Sequence, residues 1–394
     1  MILLTAEKYR SVLPLNQIFD KYRLRNRIIA YKNSTTEMKN HTDYRYRMPA
    51  EWHHHAATQL HWPSNRDTWP GERLERVEVV YLNIIKVLHQ YEPIILLVDE
   101  DCSVEKIREK LNAHTIDLSK VHIYSLPIND VWARDCGPIF VQHQDIPNQY
   151  AVTDWEYNAW GEKYPPFQDD NRLPEWFAEK FKLTKFETEI VLEGGSIETN
   201  GNGVLLTTES VLLNKNRNPD LSREEIENAL KHYLGMNKVI WLKNGLAGDD
   251  TDGHIDDLSR FINQNTILTM VCEDPNDINY EVLNENYEIL KKATDQNGNA
   301  FNIIPLILPH TKIEGTTVDG SEFVPASYAN FYVANGVVLL PLYDEHYDED
   351  ALNLLSEYFP DRDVVGIDCT DLVWGQGSIH CITQQLYAIE FDHQ

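Results

Sequence analysis

The chain has 394 residues, of which 42% are hydrophobic and 25% are charged. These proportions are typical of a globular protein, and they exclude global disorder, a collagen-like repeat and a disulfide-rich scaffold. The 35 basic and 62 acidic residues give a formal net charge of −27. Such a charge disfavours nucleic acid and anionic membranes as partners and favours cationic ligands, although acidity serves solubility alone in many proteins.

Residues 1–47 form a polar lead-in that we interpret as an N-terminal extension, and residues 48–394 form one large domain without an internal linker. The start of the chain lacks the basic segment and long apolar run of a signal peptide. No stretch approaches the 18–20 apolar residues of a membrane helix. The five cysteines form no CxxC pair, which predicts reduced thiols and a cytoplasmic protein.

Four segments have the apolar spacing of an amphipathic helix, namely 76–91, 222–235, 280–294 and 350–358. The second begins with the capping box of Ser222 and Glu225 and ends at Gly235. Between the helices lie short strand candidates, many of them paired across a Gly or Asn turn. They are 94–99, 121–126, 137–141, 151–155, 203–208, 239–242, 265–271, 330–335, 336–342, 364–369 and 384–391.

A polar or glycine-rich opening precedes a predicted hairpin strand at five places along the chain. The openings begin at residues 133, 193, 253, 326 and 377, so they recur every 50 to 75 residues or so. This spacing predicts one structural unit that is used about five times. Units arranged in a ring would bring the openings together at a central axis, whereas a tandem open sheet would not.

The openings contain the side chains with the most reactive chemistry: Asp135, Glu193, His254, Asp256 and Cys381. Each also has an ordinary interpretation, as a surface ion pair, a turn acid, a solvated acidic loop or a small buried thiol. Together they form a specific set. Two carboxylates can hold a guanidinium by paired hydrogen bonds, a thiolate can attack its carbon, and an imidazole can transfer protons.

The local geometry of two openings leads to further expectations. On an extended segment His254 and Asp256 share a face, because they are two residues apart, and Asp257 points away. His380 would point to the opposite side from Cys381 on a strand, so a distant histidine must be the partner of the thiol. The three consecutive histidines at 53–55 cannot all face one ion, and no dinucleotide or phosphate-loop motif occurs.

Seven motifs in order resemble those of the agmatine deiminase and bacterial-type peptidylarginine deiminase family. They are RMPAEWHHHAATQLHWPSNRDTWPG, NDVWARDCGPIFV, DWEYNAWGEKYPP, LEGGSIETNGNGVLLTTESVLLNKNRNP, GDDTDGHIDDLSRF, SYANFYVANGVVLLP and GQGSIHCITQQ. The resemblance implies an α/β fold, the five-bladed α/β propeller of pseudo-fivefold ββαβ units, and it implies no metal or organic cofactor.

The resemblance also implies roles for individual residues. Cys381 would be the nucleophile, and His254 would be first general acid and then general base. Asp135 and Asp256 would hold the guanidinium, while Glu193 would support the site and the histidine. The positions of Trp132 and Asn330 match family motif positions that line the substrate pocket.

The leading hypothesis is therefore a hydrolase of the putrescine-forming route, which converts agmatine and water into N-carbamoylputrescine and ammonia through a Cys-bound amidino intermediate. A small cationic guanidine would be its partner, and self-association is left open. The alternatives are a peptidylarginine deiminase with the same residues and, third, an amidinotransferase. A propeller-shaped binding protein with an inactive site represents a different class of function.

Overall fold

The computed structural model describes residues 45–310, 316–317 and 320–391. The predicted N-terminal extension, 1–47, lies almost wholly outside these ranges and stays a prediction. No helix within them combines the length and the apolar character that a membrane span requires.

Five small mixed sheets form the framework. From edge to edge, the first sheet contains Tyr46–Arg47, Ile139–His143, Tyr150–Glu156 and Thr184–Val191, and the second contains Lys238–Leu242, Val204–Thr208 and Glu198–Thr199. The third contains Ser259–Asn263, Thr266–Val271 and Asn302–Ile307, and the fourth contains Tyr332–Ala334, Val337–Leu342 and Asp363–Asp368. The fifth contains Gln384–Leu386, Ala57–His61, Ile94–Val98 and Val121–Ser125. The longer helices are Arg73–Leu88, Val104–Ala113, Leu173–Phe181, Arg223–Leu234, Tyr280–Leu290 and Asp348–Tyr358, and shorter turns are Ala133–Cys136, Ala159–Glu162 and Glu209–Leu212.

Each sheet repeats one arrangement of strands. An inner strand pairs antiparallel with a middle strand, and the middle strand pairs parallel with an outer strand. A helix connects the middle strand to the outer one, as a parallel connection requires. In the last unit the inner strand, Gln384–Leu386, pairs with Ala57–His61 from the opposite end of the domain. The five ββαβ units therefore close into a ring, and the predicted five-bladed α/β propeller is confirmed.

All four predicted helices are present, with ends that differ by a few residues. The helix Arg223–Leu234 shows why such helices can be predicted from the sequence. Ser222 and Glu225 form the capping box, and Gly235 ends the helix with a φ of 68°. Two helices were not predicted, Val104–Ala113 and Leu173–Phe181. The first buries only Ile107 and Leu111 and is otherwise polar, so its apolar stripe is too weak to stand out.

The five polar openings meet at the centre of the ring. Each lies directly before the inner strand of its sheet, and hydrogen bonds join every opening to the adjacent unit. These bonds run from Gly195 N to Asp135 Oδ1 (2.9 Å), Thr208 Oγ1 to Gly253 O (2.6 Å), Ser327 Oγ to Asp257 O (2.7 Å), His380 N to Asn330 O (3.1 Å) and Arg134 N to Cys381 O (3.1 Å). These hydrogen bonds link all five units in a closed ring, which a tandem open sheet could not form.

Candidate active site

A cavity of about 500 Å³ reaches the meeting point of the five openings, and both Asp135 and Cys381 line it. Aromatic side chains form much of its wall: Trp132, Tyr157, Trp160, Tyr164 and Phe167. Six aspartates also line it: Asp67, Asp99, Asp130, Asp135, Asp170 and Asp250. Lys163 is the only basic side chain among the described lining residues, and its ammonium lies 2.9 Å from Asp252. The cavity therefore suits a cationic ligand with an apolar stem.

Cys381 lies in the turn before the last inner strand and is 5% exposed. Its Sγ receives a hydrogen bond from Asn330 Nδ2 at 3.2 Å and lies 3.8 Å from Asp256 Oδ2. Burial and the charges of nearby aspartates raise the pKa of the Cys381 thiol well above its usual value. Because of this raised pKa, the thiol is protonated when no cation is bound. Gly377 allows the close packing around Cys381, because a Cβ there would overlap the Trp132 ring and press on Cys381.

Asp135 lies in the short turn Ala133–Cys136, and both of its carboxylate oxygens accept hydrogen bonds from neutral donors. The backbone N–H of Gly195 donates to Oδ1 at 2.9 Å, and Trp160 Nε1 donates to Oδ2 at 2.9 Å. Burial, more than the neighbouring carboxylates, raises the pKa of Asp135 to about 6. Near neutral pH this carboxylate therefore changes charge easily.

Three of the predicted residues converge on Gly195. A Cβ at that position would lie 2.6 Å from His254 Nδ1, 2.8 Å from Asp135 Oδ1 and 3.0 Å from Asp256 Oδ2. Only a glycine leaves room for the three side chains to approach one another this closely. The sequence motif EGGS therefore supplies the space in which an imidazole and two carboxylates come together.

His254 is fully buried among these carboxylates. Its Nδ1 is 3.7 Å from Asp135 Oδ1, and neither ring nitrogen has a hydrogen-bond partner within the described part of the chain. Burial lowers the pKa of His254, but the charges of Asp135, Asp256, Glu193 and others outweigh it and raise the pKa above its usual value. The imidazole is thus biased towards its protonated form.

Glu193 lies directly before the inner strand of the second unit and is fully buried. Its Oε1 accepts a hydrogen bond from Arg217 Nε at 2.5 Å, while its Oε2 has no hydrogen-bond partner among the described residues. Arg217 also donates to Thr251 O (2.8 Å) and Asp252 Oδ2 (2.7 Å), which lie just before His254. This arginine therefore ties Glu193 to the loop that carries the histidine.

The two residues predicted to line the pocket are placed differently. Trp132 lines the cavity, with its ring between those of Trp69 and Trp160 at centroid distances of 5.8 and 6.1 Å. Asn330 is fully buried behind Cys381, and its Oδ1 accepts the backbone N–H groups of His380 and Cys381 at 2.9 and 3.3 Å. Asn330 thus contacts the thiol and holds its turn, rather than forming a wall of the cavity.

The expectation of an extended strand through the GHIDD motif is wrong. Residues Ile255–Asp257 form a 3₁₀ turn, so alternate side chains do not point to opposite faces. Asp257, predicted to point away, is buried, and its Oδ1 accepts a hydrogen bond from Asn330 Nδ2 at 2.9 Å. Burial and the charges of Asp256 and Asp249 raise the pKa of Asp257 well above its usual value, so it is a neutral acid beside the site.

One set of side chains within the described ranges could in principle hold a metal ion, because its ligand atoms lie within 4.8 Å of one another: Asp256, Asp257 and Cys381. The protonation of these three side chains disfavours metal binding. Asp257 and Cys381 have raised pKa values, and Asp256 Oδ2 already accepts a hydrogen bond from His380 at 2.6 Å. A metal ion would need to displace two protons and this hydrogen bond.

Comparison with known protein families identifies the family to which the chain belongs. The model of the Porphyromonas-type peptidyl-arginine deiminase family matches residues 47–386. The chain belongs to this family. An agmatine deiminase from Medicago truncatula is 36% identical over 374 residues, which cover 88% of this chain and 98% of the plant protein.

Solved structures of family members agree with this assignment. The agmatine deiminase of Enterococcus faecalis, solved while catalysing its reaction, is 33% identical with a TM-score of 0.79, over 87% of this chain and 96% of that one. A cysteine-to-serine variant of C. jejuni agmatine deiminase with substrate bound is 31% identical with a TM-score of 0.77, over 87% and 96% of the two chains.

Sequence reasoning missed a layer of charged residues beneath the site. Glu51, Arg134, Glu198, Arg260 and His380 are all buried and joined by hydrogen bonds. Their residue types could have signalled it, because Arg and Glu at the edges of apolar strands become fully buried only when they are paired. No local spacing connects them, however, since Glu51 and His380 are 329 residues apart.

Proposed function

We propose that the chain is an agmatine deiminase, which hydrolyses agmatine to N-carbamoylputrescine and ammonia. The observation that carries the proposal is the convergence of Cys381, His254, Asp135 and Asp256 at the end of an acidic, aromatic cavity. The relatives named agmatine deiminase support it, because they match almost the whole described domain.

Binding precedes chemistry in the proposed mechanism. The guanidinium group of the substrate would be held between Asp135 and Asp256, each of which accepts its N–H groups as charge-assisted hydrogen bonds. The positive charge would offset the aspartate charges that raise the pKa of Cys381. Substrate binding thus favours the thiolate in a site where the free thiol is protonated.

The covalent step would then use Cys381 and His254. The thiolate attacks the guanidinium carbon to give a tetrahedral adduct, and His254 donates a proton to the departing nitrogen, which leaves as ammonia. The C–N bond breaks while the C–S bond remains, which leaves an amidino-thioether on Cys381. His254, now neutral, removes a proton from water, whose oxygen attacks the same carbon. The C–S bond then breaks while the hydroxyl proton is lost to solvent, which releases N-carbamoylputrescine and the thiolate.

Glu193 would act through His254 in this scheme. Its charge is one of those that raise the pKa of the imidazole, and its position is held by Arg217 at 2.5 Å. The proposed general acid therefore begins the cycle with its proton. Trp132 would pack against the substrate as part of the aromatic wall, and Asn330 would hold the Cys381 turn.

The charge of the cavity favours agmatine over other guanidines. Agmatine carries an ammonium group at its far end, which suits a wall that contains Asp67, Asp99 and Asp250 besides the aspartate for the guanidinium. Free arginine carries a carboxylate, and Lys163, the only basic side chain among the described lining residues, is already paired with Asp252 at 2.9 Å. An arginine peptide presents neutral amides at that end, so it would gain less from the acidic wall than agmatine does.

Ammonia release from matched substrates tests the proposal. We expect agmatine to give the highest kcat/KM, with butylguanidine, which lacks only the ammonium group, at least about tenfold lower because a charge-assisted contact is lost. Preference for an arginine peptide would indicate a peptidylarginine deiminase. Transfer of the amidino group to an added amine would indicate an amidinotransferase, and no turnover of any guanidine would indicate a binding protein.

A further inference from the structure

The residue immediately before Cys381 bridges two buried carboxylates. His380 Nδ1 lies 2.6 Å from Asp256 Oδ2, and His380 Nε2 lies 2.7 Å from Glu51 Oε2. Its ring is 1% exposed, so solvent does not compete for either nitrogen. These are hydrogen-bond distances on both sides of the imidazole. The ring therefore does not serve Cys381 as a base, and its contacts lead instead to Asp256.

The state of Asp256 determines which atom donates in this contact. Burial opposes ionisation of Asp256, but the hydrogen bond and charge contact with His380 lower the pKa below its usual value. Since an ionised carboxylate only accepts hydrogen bonds, the donor between His380 and Asp256 must be the N–H at His380 Nδ1.

Charged groups hold the other side of the ring in place. His380 faces Asp256 and Glu51, and Glu198 lies next to them and pairs with Arg260 at 2.9 Å. Arg260 and Arg134 pair with Glu51 at 2.9 and 3.2 Å. Two guanidinium groups thus fix Glu51, and Glu51 anchors the His380 ring at Nε2 with a contact of 2.7 Å.

We propose that His380 is a positioning residue that donates a hydrogen bond from Nδ1 to Asp256 and so orients its carboxylate for guanidinium binding. The inference rests on the proposed function. Asp256 Oδ2 is held by His380, whereas its Oδ1 is buried and has no hydrogen-bond partner within the described part of the chain. Rotation of the carboxylate would break the bond at 2.6 Å, so this bond fixes the orientation in which the unpartnered oxygen would accept a guanidinium N–H.

The hydrogen bond from His380 to Asp256 can be tested without any substrate. In wild-type protein labelled with ¹⁵N-histidine, we expect His380 Nδ1 to carry a proton that exchanges slowly with solvent, because it lies in the buried 2.6 Å contact with Asp256. A His380 Nδ1 that carries no proton would overturn the proposal. This measurement also decides the matter if substitutions at position 380 prevent folding.

The effect on Asp256 appears in the pH dependence of kcat/KM. In His380→Gln the aspartate loses the imidazole contact that lowers its pKa, so this pKa is expected to rise. A second group besides Asp135 would then limit binding at low pH, so the acid limb should become steeper and shift to higher pH. We expect kcat/KM at pH 6 to fall at least about tenfold, with a smaller loss at pH 8.

His55 offers a matched control for this experiment. It is also a buried histidine with hydrogen bonds on both ring nitrogens, to Glu92 Oε1 at 3.3 Å and to the Glu51 carbonyl at 2.6 Å. His55→Gln should lower the melting temperature but leave the shape of the pH profile unchanged. A folded His380→Gln protein with the wild-type acid limb would overturn the inference, whereas a wild type that releases no ammonia from agmatine would overturn only the proposed function.

Discussion

The two carboxylates proposed to hold the guanidinium lie in opposite environments. Asp135, on the wall of the cavity, accepts hydrogen bonds only from the neutral donors Gly195 N and Trp160 Nε1. Asp256 does not line the cavity but lies fully buried beneath it, with Oδ2 3.8 Å from Cys381 Sγ, and we call this position the floor of the site. At the floor Asp256 bonds to His380. Burial raises the pKa of Asp135 to about 6, whereas the contact with His380 lowers that of Asp256.

This difference separates two tasks within one binding site. Asp256 stays ionised without the substrate, so it provides a permanent negative charge at the floor. Asp135 is close to half-protonated near pH 6, and the arrival of a guanidinium would stabilise its ionised form. Binding of the substrate and ionisation of the wall carboxylate are therefore linked, which neither residue type nor sequence position reveals.

The largest expected effect comes from Cys381→Ser, which removes the proposed nucleophile and leaves both carboxylates in place. Ammonia release should fall below about a tenth of the wild-type rate, because a hydroxyl is a far weaker nucleophile than a thiolate. Agmatine should still bind in calorimetry, since the wall and floor are intact. Cys272→Ser and Cys369→Ser are controls, and loss of turnover in either would move the assignment to that cysteine.

Asp135→Asn and Asp256→Asn test the wall and the floor separately. Each replaces an acceptor with a group that also donates, and a lost charge-assisted hydrogen bond costs roughly 1.5–3 kcal/mol. We expect kcat/KM for agmatine to fall at least about tenfold to a hundredfold in each. Asp256→Asn should also lower the melting temperature more than Asp135→Asn does, because it removes the carboxylate that accepts the hydrogen bond from buried His380. Near-wild-type activity in both variants would contradict guanidine hydrolysis.

The pH profile of the wild type should reflect the wall rather than the floor. Asp135 must be ionised to hold the guanidinium, so kcat/KM should rise with pH through about 6. His254 must be protonated to act as an acid, so kcat, which reports the substrate complex where the thiolate is already favoured, should fall as pH rises through the pKa of His254, which lies above the usual value. Steady-state rates from pH 5 to 9 check this, and an acid limb centred near pH 4 would show that Asp135 is not the titrating group.

The smallest effect is expected for Asp257→Asn, which should stay within a few-fold of wild type. The sequence suggested this because Asp257 was predicted to point away, but the structure supplies a different reason. Asp257 is a buried neutral acid, and an asparagine of equal charge and similar shape can still accept the hydrogen bond from Asn330. Rates on agmatine decide this, and inactivation beside an active Asp256→Asn protein would reverse the roles of the two aspartates.

The sequence alone determined the repeating units of this protein. Each of the eleven predicted strand segments overlaps a strand of the structure, because apolar runs and turn residues act over a few neighbouring positions. The segment 384–391 is a strand only over Gln384–Leu386, and strands such as Ala57–His61 and Thr184–Val191 were not predicted. The capping box at Ser222 and the spacing of the five polar openings were predicted for the same reason. Even the convergence of Asp135, His254, Asp256 and Cys381 was foreseeable, since a ring of such units brings its openings together.

Only the tertiary structure decided the protonation and orientation of these groups. The pKa of a buried carboxylate depends on neighbours in space, and Asp256 bonds to His380, 124 residues away along the chain. The 3₁₀ turn at Ile255–Asp257 overrode the alternation expected of a strand, and it buried Asp257. Glu51, which completes the layer beneath the site, lies 329 residues from His380, so no local pattern could pair them.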